Sequence, residues 1–531
     1  MSIKDNERSV VASVLGFFSG NLVSRMTGFF REIVMVTIWG ITPSVAAFWM
    51  AFRILFFLRR IFGENLLSIT LVPYFEKLRK DSPEKTGMFI RKIVHIFSFS
   101  TLLTVCFCEA ALFLIYKSCS LEQKFTVVLI ILLLPSSIFL VLYSLNTVIL
   151  SCEQTFFLPG IAPAAVNIFW IAIVLSTRRF TCEKALMILS SCLIGGFICQ
   201  WAITLMPIRK LKKKYPMESF EGYRPFMKLL FPMVLSIVGI AANYLNGVSD
   251  MFLSRLIEPS GPAFLWYALR IQQLPLSLLT VGVFAVLLPP ISRAVQSKDY
   301  EISRRLVLLA LKVIVYLLLI VIFGIFLTGR LGIEIIYGHG KFSSTDGLKT
   351  FKLLISYSFG LLPVSLISIV NIFFYSKREY TIPVVLGCAS VALNIILSYV
   401  FGVLIYHDMV VIALVTSVVS WLQVCCLWYC SDLKSSLYKN LLTGMLPGLL
   451  RALPALVVAY IITTYSFNFL FPESTIDLSH FWNNLFVFSS KNCIFLVFLY
   501  VFAKLFAVND LLELFQLNFW TRRNSIIDND T

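Results

Sequence analysis

Charged side chains stand inside long apolar stretches of this sequence, where a charge is costly. The first two stretches contain five arginines and one glutamate that suit a charged ligand: Arg25, Arg31, Glu32, Arg53, Arg59 and Arg60. A later stretch contains Arg270. A cation at mid-bilayer depth costs at least about 2.5–3.5 kcal/mol on insertion scales, so it usually faces a cavity or a partner. Because arginine forks contact phosphate oxygens in pairs, the cationic excess predicts a cavity that binds a phosphorylated anion.

Single members of this set also have an ordinary structural explanation. Arg59 and Arg60 can extend along their aliphatic stems to the membrane surface, and Arg31 can pair with the neighbouring Glu32. These alternatives stay open for each residue. They do not explain why the cations gather in corresponding parts of the chain.

A second set of intramembrane polar groups carries oxygen atoms that suit a cation. The candidates for ion coupling are Glu109, Asp250, Asn394 and Ser398. Oxygen ligands from separate helices can hold Na+, and a buried carboxylate can carry a proton. Hydrogen bonding between helices is the structural alternative.

The sequence predicts no catalytic residues, no metal site and no cofactor. The segment Gly338-His339-Gly340-Lys341 lacks Walker A spacing. The twelve cysteines show no CxxC spacing and are predicted to be small buried apolar residues. The net charge of +17 lies mostly in short loops, and no nucleic-acid-binding motif accompanies it, so nucleic acid is not an expected partner.

Composition predicts an all-α integral membrane protein. The chain is 58% hydrophobic and 14% charged, whereas soluble domains carry about 25% charged residues. Its apolar blocks are about 20 residues long, enough to cross the bilayer as helices, and helices satisfy their own backbone groups there. We predict about fourteen spans, near 10–38, 44–72, 92–116, 125–150, 158–176, 185–207, 226–255, 261–290, 306–328, 349–374, 382–405, 408–429, 449–466 and 487–507.

The distribution of lysine and arginine predicts the orientation of the spans. The basic loops follow spans two, six, eight, ten and twelve, with clusters at 77–92, 209–224, 293–305, 377–378 and 434–439. All of these loops follow even-numbered spans, so both termini are predicted to be cytoplasmic. The first apolar stretch carries Arg25, Arg31 and Glu32, so it is expected to be a retained helix rather than a signal peptide.

An internal repeat predicts two lobes. At one constant offset, Arg53 corresponds to Arg270, Leu71 to Leu288 and Pro73 to Pro290. The copies are separated by six predicted spans, and an even separation makes them parallel, as in transporters with two rocking lobes. The predicted organisation is residues 1–220 as the first lobe, 221–440 as the second, and 441–531 as two further helices and a tail, with a central cationic cavity.

Several segments resemble the MurJ/MviN family. Residues 24–32 (SRMTGFFRE) resemble its opening motif, an arginine, a glycine and then an arginine followed by an acid. Further resembling segments are Ala47-Phe48, Ala51-Phe52-Arg53, 58–64, Val72-Pro73, 267–270, 287–289, 337–346 and 374–377. They spread from residue 24 to about residue 400, and the first is the most specific.

The resemblance implies a fourteen-helix, two-lobed fold of the MOP transporter superfamily that works by alternating access. The implied cargo is lipid II, the undecaprenyl-diphosphate-linked peptidoglycan precursor, in the bacterial inner membrane, with the peptidoglycan synthesis machinery as a further expected partner. Arg25, Arg31, Arg59 and Arg270 fall on the family's cavity arginines, and Glu32 on its acid. The last two helices, about 449–507, fall on the helices that the family associates with a groove for the lipid tail.

The sequence departs from the family at three positions where the family often has an acid, namely Ala46, Leu269 and Gln273. These losses make the predicted cavity more cationic, and they remove carboxylates that could couple protons. Coupling to Na+, to H+ or to the membrane potential all stay open. The alternative cargoes are another polyprenyl-linked glycan or a drug. A membrane enzyme acting on polyprenyl phosphates would need clustered acidic metal ligands, and a scaffold would have no use for buried charges.

Overall fold

The computed structural model describes residues 3–62, 75, 83–153, 155–214, 244–276, 300–376, 379, 381–431, 446–470, 481–508 and 511–512. The side chain of Arg60, a predicted anion ligand, falls outside the described part. So do Leu71, Pro73, Leu288 and Pro290 of the predicted repeat and most residues of the predicted basic loops.

Nearly all of the described residues are helical, which confirms the predicted all-α class. The chain divides into two compact units, and unit 1 contains Met1–Ala263 and His339–Phe342. Its helices are α1 (Ile3–Trp39), α2 (Pro43–Phe62), α3 (Pro83–Tyr116), α4 (Leu121–Leu133), α5 (Ser136–Cys152), α6 (Phe157–Thr177), α7 (Cys182–Lys214) and α8 (244–257).

Unit 2 contains Phe264–Gly338 and Ser343–Thr531. Its helices are α9 (261–276, beginning just before the unit), α10 (Tyr300–Tyr337), α11 (Ser344–Ser358), α12 (Leu361–Ser376), α13 (Thr381–Leu397, continued by a π-helix over Ser398–Ile405), α14 (Met409–Cys430), α15 (Leu446–Leu470) and α16 (Phe481–Leu505). The predicted domain limits at 220 and 440 stay predictions, because residues 215–243 and 432–445 lie outside the described part.

Within the described ranges, nine helical segments are long and apolar enough to cross a membrane. The count is up to ten when the bent pair Gln123–Leu133 and Ser136–Cys152 is taken as one span. The chain is therefore multi-pass, as predicted. The predicted total of about fourteen is not confirmed by this count.

Two predicted spans exist as two helices each. The span predicted at 125–150 is bent by 44° between α4 and α5. Pro135 stands at this break, and proline has no N–H to continue a helical hydrogen-bond ladder. The span predicted at 349–374 is divided between α11 and α12 around Gly360. Both stretches stay candidate membrane spans, over Ser344–Asn371 for the second and as a bent pair for the first, and each has a break inside it.

Each unit has its own buried core. In unit 1 the largest fully buried side chains include Phe48, Trp49 and Trp170, which join α2 to α6. In unit 2 the described part of α15 and α16 packs on α10 through a cluster that includes Leu456 and Phe495. The core of unit 1 borders Arg31, whose guanidinium lies over the rings of Phe52 and Trp170.

The cysteines correct a second sequence-based prediction. Of the twelve, only Cys152 is buried, and seven are exposed: Cys106, Cys192, Cys199, Cys425, Cys426, Cys430 and Cys493. The prediction of burial assumed that small apolar side chains collect inside. In a membrane the lipid tails are as apolar as the bundle interior, so nothing drives such side chains inward.

Candidate anion-binding site

The site begins with a close contact between α1 and α6. Gly20 of α1 and Gly160 of α6 lie at this contact, where a Cβ on Gly20 would stand 2.8 Å from the carbonyl oxygen of Phe157. A Cβ on Gly160 would stand 3.3 Å from the backbone nitrogen of Asn21. Small residues let helix backbones approach closely in membranes. The approach brings polar groups of α6 within reach of the charged part of α1.

Arg31 is enclosed in this α1–α6 contact and has two polar partners. Its Nη2 donates to Glu32 Oε1 at 3.0 Å, and its Nη1 donates to Asn167 Oδ1 at 3.0 Å. The Arg31 side chain is 8% exposed and the Glu32 side chain 0%. The predicted pairing of Arg31 with Glu32 is thus present. The two opposite charges compensate one another inside the unit.

Aromatic rings enclose the Arg31 guanidinium. The guanidinium carbon lies 4.2 Å from the ring centroid of Trp170 and 5.6 Å from that of Phe52. Phe48 and Trp49 pack behind them, with ring centroids 5.3 Å and 6.0 Å from that of Trp170. Cation–π attraction is strengthened when the cation is removed from water. In this conformation the guanidinium of Arg31 is therefore stabilised by the aromatic rings as well as by Glu32 and Asn167.

Arg25 differs from Arg31 although both belong to α1. Its side chain is exposed, as are those of its neighbours Val23 and Met26. The six-residue separation from Arg31 turns it to a different side of the helix. Of the two predicted α1 ligands, Arg25 is the exposed one in this conformation.

Arg59 lies at the far end of α2 and is half-buried. Its guanidinium carbon is 5.4 Å from the ring centroid of Phe56 and 5.8 Å from that of Tyr143. The Tyr143 hydroxyl donates to the carbonyl oxygen of Pro159 at 2.8 Å, which fixes this ring between α5 and α6. Arg59 thus packs on the rings of Phe56 and Tyr143 within unit 1.

Arg53 contacts α8, the described part of the predicted seventh span. Its guanidinium lies directly against Gly247, where a side chain on the glycine would overlap it. On the same pair of helices, Arg255 Nη1 lies 3.8 Å from Met50 Sδ. Asp250, one turn after Gly247, is 2% exposed. Arg53 of α2 and the buried Asp250 of α8 therefore lie on two helices of unit 1 that contact each other.

The remaining predicted residues lie elsewhere. Arg270 is half-buried in α9 and belongs to unit 2. Glu109 is half-buried in α3 of unit 1. In unit 2 the fully buried Asn394 Oδ1 accepts from the hydroxyls of Ser398 at 3.4 Å and Thr416 at 3.2 Å. Asn394 and Ser398 are thus hydrogen-bonded one helical turn apart, whereas Asp250 belongs to the other unit.

The sequence profile described as "Lipid II flippase MurJ" matches residues 35–481, most of the chain. The chain belongs to the MurJ lipid II flippase family. A probable lipid II flippase MurJ of Chlamydia pneumoniae is 35% identical over 539 residues, which cover 99% of this chain and 98% of the relative. The corresponding protein of Chlamydia trachomatis serovar D is 35% identical over 540 residues, covering 99% and 100%. The sequence-based resemblance to the MurJ family is confirmed.

Solved structures show the same fold. A lipid II flippase MurJ in an inward closed conformation matches with a TM-score of 0.73 at 23% identity, covering 92% of this chain and 98% of that chain. An inward-facing multidrug resistance MATE family transporter of the MOP superfamily matches with a TM-score of 0.62 at 12% identity, covering 78% and 95%. The fold is thus that of MurJ and of the MATE transporters. Family and fold together indicate a multi-pass inner-membrane protein of transporter type.

Sequence reasoning missed two residues that build the surroundings of Arg31 in this MurJ family member. Asn167 and Trp170 both lie on α6 and face Arg31. Asn167 carried a usable signal, because an amide inside an apolar span normally bonds to another helix. Trp170 carried none, since an aromatic residue in such a span is ordinary. Only the packing of α6 on α1 identifies it.

Proposed function

We propose that this chain moves lipid II from the inner to the outer leaflet of the cytoplasmic membrane by alternating access. The observation that carries the proposal is the relationship to the MurJ family over nearly the whole chain. The arginines of α1 and α2 support it, because a lipid diphosphate is an anion that arginine forks bind well. No catalytic step and no cofactor belong to this proposal.

The proposed ligands of the diphosphate are Arg25, Arg31, Arg53, Arg59, Arg60 and Arg270, with Glu32 orienting Arg31. Exposed Arg25 makes the first contact with the anion in this conformation. Arg31 joins when its enclosed guanidinium is released from α6. Apolar residues of the last two helices would contact the lipid tail.

The proposed orientation places both termini in the cytoplasm, because the basic loops follow even-numbered spans. The membrane potential is then negative on the side to which the empty cationic cavity must return. It favours that return by about 2.3 kcal/mol per charge per 100 mV. Na+ and H+ are the other candidates for coupling, with Glu109, Asp250, Asn394 and Ser398 as the residues to test. The peptidoglycan synthesis machinery is the proposed partner on the outer side.

Two other cargoes fit the same fold, namely another polyprenyl-linked glycan and a drug. The MATE likeness concerns the fold alone. A cavity for cationic drugs would be lined by carboxylates, whereas the charged residues of α1 and α2 are mostly arginines. A polyprenyl-linked glycan keeps the diphosphate and stays the stronger alternative.

Depletion of the protein in cells tests the proposal. An external probe that cleaves or labels only outward-facing lipid II measures the transported fraction, and extraction measures the total. We expect outward-facing lipid II to fall while total lipid II rises, and expression of the chain to reverse both changes. Unchanged outward-facing lipid II would mean that the cargo is a different phosphorylated lipid.

A further inference from the structure

Asn167 of α6 lies across one face of α1. Its Oδ1 accepts from Arg31 Nη1 at 3.0 Å. Its Nδ2 donates to the carbonyl oxygen of Ser24 and to the hydroxyl of Thr27, each at 3.1 Å. Positions 24, 27 and 31 follow the three- and four-residue spacing of a single helix face. One amide side chain therefore contacts a stripe of α1 that ends at the Arg31 guanidinium.

The chemistry of these neighbours fixes the orientation of the Asn167 amide. Arginine carries donors only, so it must face the amide oxygen, and the Ser24 carbonyl is an acceptor, so it must face the amide NH2. A reversed amide would set donors against donors and acceptors against acceptors. Asn167 is 6% exposed, so water cannot readily replace these partners. The amide therefore supports one position of the Arg31 guanidinium.

We propose that Asn167 is the positioning residue for Arg31 and the partner that a phosphate oxygen of the cargo replaces. The bond from Arg31 to Glu32 joins two charges, whereas the bond to Asn167 involves a neutral amide and is the weaker one. An incoming phosphate oxygen displaces the weaker partner and leaves Glu32 in place. The identity of the cargo in this proposal rests on the proposed function, but the positioning of Arg31 does not.

The reactivity of Arg31 toward phenylglyoxal, which modifies guanidinium groups, tests the positioning. The full-length purified protein is treated in detergent without cargo, and peptide mass mapping measures each arginine separately. Exposed Arg25 serves as the internal reference. In Asn167→Ala we expect Arg31 to react about tenfold faster than in the unsubstituted protein, roughly the factor that one hydrogen bond to a charged group contributes.

Asn146 offers a matched control. It is a buried asparagine of the same unit, 4% exposed, whose Nδ2 donates to Thr204 Oγ1 at 2.8 Å and so joins α5 to α7. Asn146→Ala removes the same atoms without touching α1. We expect Arg31 in this variant to react at the unsubstituted rate.

Asn167→Asp separates positioning from simple helix contact. It keeps an acceptor for Arg31 Nη1 but loses the NH2 that bonds to Ser24 and Thr27. We expect Arg31 to stay as protected as in the unsubstituted protein, or more so. If Asn167→Ala does not purify, Asn167→Ser takes its place, because the shorter hydroxyl side chain does not reach Arg31.

Equal Arg31 reactivity in Asn167→Ala and Asn146→Ala would overturn the proposal, and so would equal reactivity in Asn167→Ala and Asn167→Asp. Outward-facing lipid II is measured in parallel in depleted cells, where we expect Asn167→Ala to restore less of it than Asn146→Ala. Equal restoration by these two variants would overturn the role of Asn167 in cargo exchange. Failure of the unsubstituted chain to restore it would contradict the proposed function and leave the reactivity result standing.

Discussion

The backbone N–H of Lys341 donates to the carbonyl oxygen of Thr37 at 3.0 Å. Thr37 lies in the last turn of α1, where carbonyl groups have no partner within the helix. The segment His339–Phe342 thus belongs to unit 1, although α10 and α11 on either side of it belong to unit 2. The loop that follows α10 in the chain therefore caps the end of the arginine-bearing helix α1.

Gly340→Ala should destabilise the protein through this cap. Gly340 has φ +67°, and a Cβ there would overlap the carbonyl oxygen of Thr37. The left-handed backbone alone costs a non-glycine residue about 1–2 kcal/mol. We expect a lower midpoint in thermal unfolding of the purified protein. Gly324→Ala in the middle of α10 is the control, since among the described residues a Cβ there meets only Asn492, at 3.7 Å. This change should leave the midpoint unchanged or higher.

Glu32→Gln should destabilise unit 1 because it leaves the enclosed Arg31 cation without a full counter-charge. Breaking a buried pair by removing one partner costs about 3–5 kcal/mol. The double variant Arg31→Met with Glu32→Gln should be more stable than Glu32→Gln alone, because no uncompensated charge remains. The exposed pair Arg330–Glu334, 3.1 Å apart, is the control. Glu334→Gln should change stability by less than about 1 kcal/mol, and an equal loss in the two glutamine variants would contradict the enclosed pair.

Arg31→Ala should abolish the restoration of outward-facing lipid II while the protein still reaches the membrane. Arg31→Lys should not rescue it, because an ammonium cannot present two planar edges to Asn167 and Glu32 at once. Arg330→Ala, which removes an exposed arginine at the end of α10, should transport normally. Normal growth of cells that depend on the Arg31→Ala variant would contradict the role of this arginine.

Thr416→Val should lower stability by roughly 0.6 kcal/mol, the average for hydrogen bonds between membrane helices. The change removes the bond from α14 to Asn394 Oδ1, which is 3.2 Å long, and keeps the amide itself.

Asn394→Ala removes the amide and tests ion coupling. We expect it to alter the dependence of lipid II export on external Na+, which Thr416→Val leaves intact. Identical Na+ dependence in Asn394→Ala and the unsubstituted chain would assign Asn394 a structural role.

The sequence alone determined the membrane class, the helical architecture and the residues at which charge enters the apolar stretches. These properties follow from local quantities, since the length and polarity of a segment decide whether it crosses a bilayer. The pairing of Arg31 with Glu32 was also within reach, because adjacent residues are close in any conformation. The motif at 24–32 identified the family because it is a run of consecutive residues, which can be recognised without knowing how the helices pack.

Tertiary structure decided which arginine side chains are enclosed and which are exposed. Arg25 and Arg31 are the same residue type on one helix, yet α6 encloses the second and leaves the first exposed. That difference depends on the glycines that bring α1 against α6 and on Asn167 and Trp170, which lie more than a hundred residues from Arg31 in the chain. The cap that Lys341 places on α1 has the same origin. Periodicity and composition describe one segment at a time, whereas enclosure and capping are set by which segments meet.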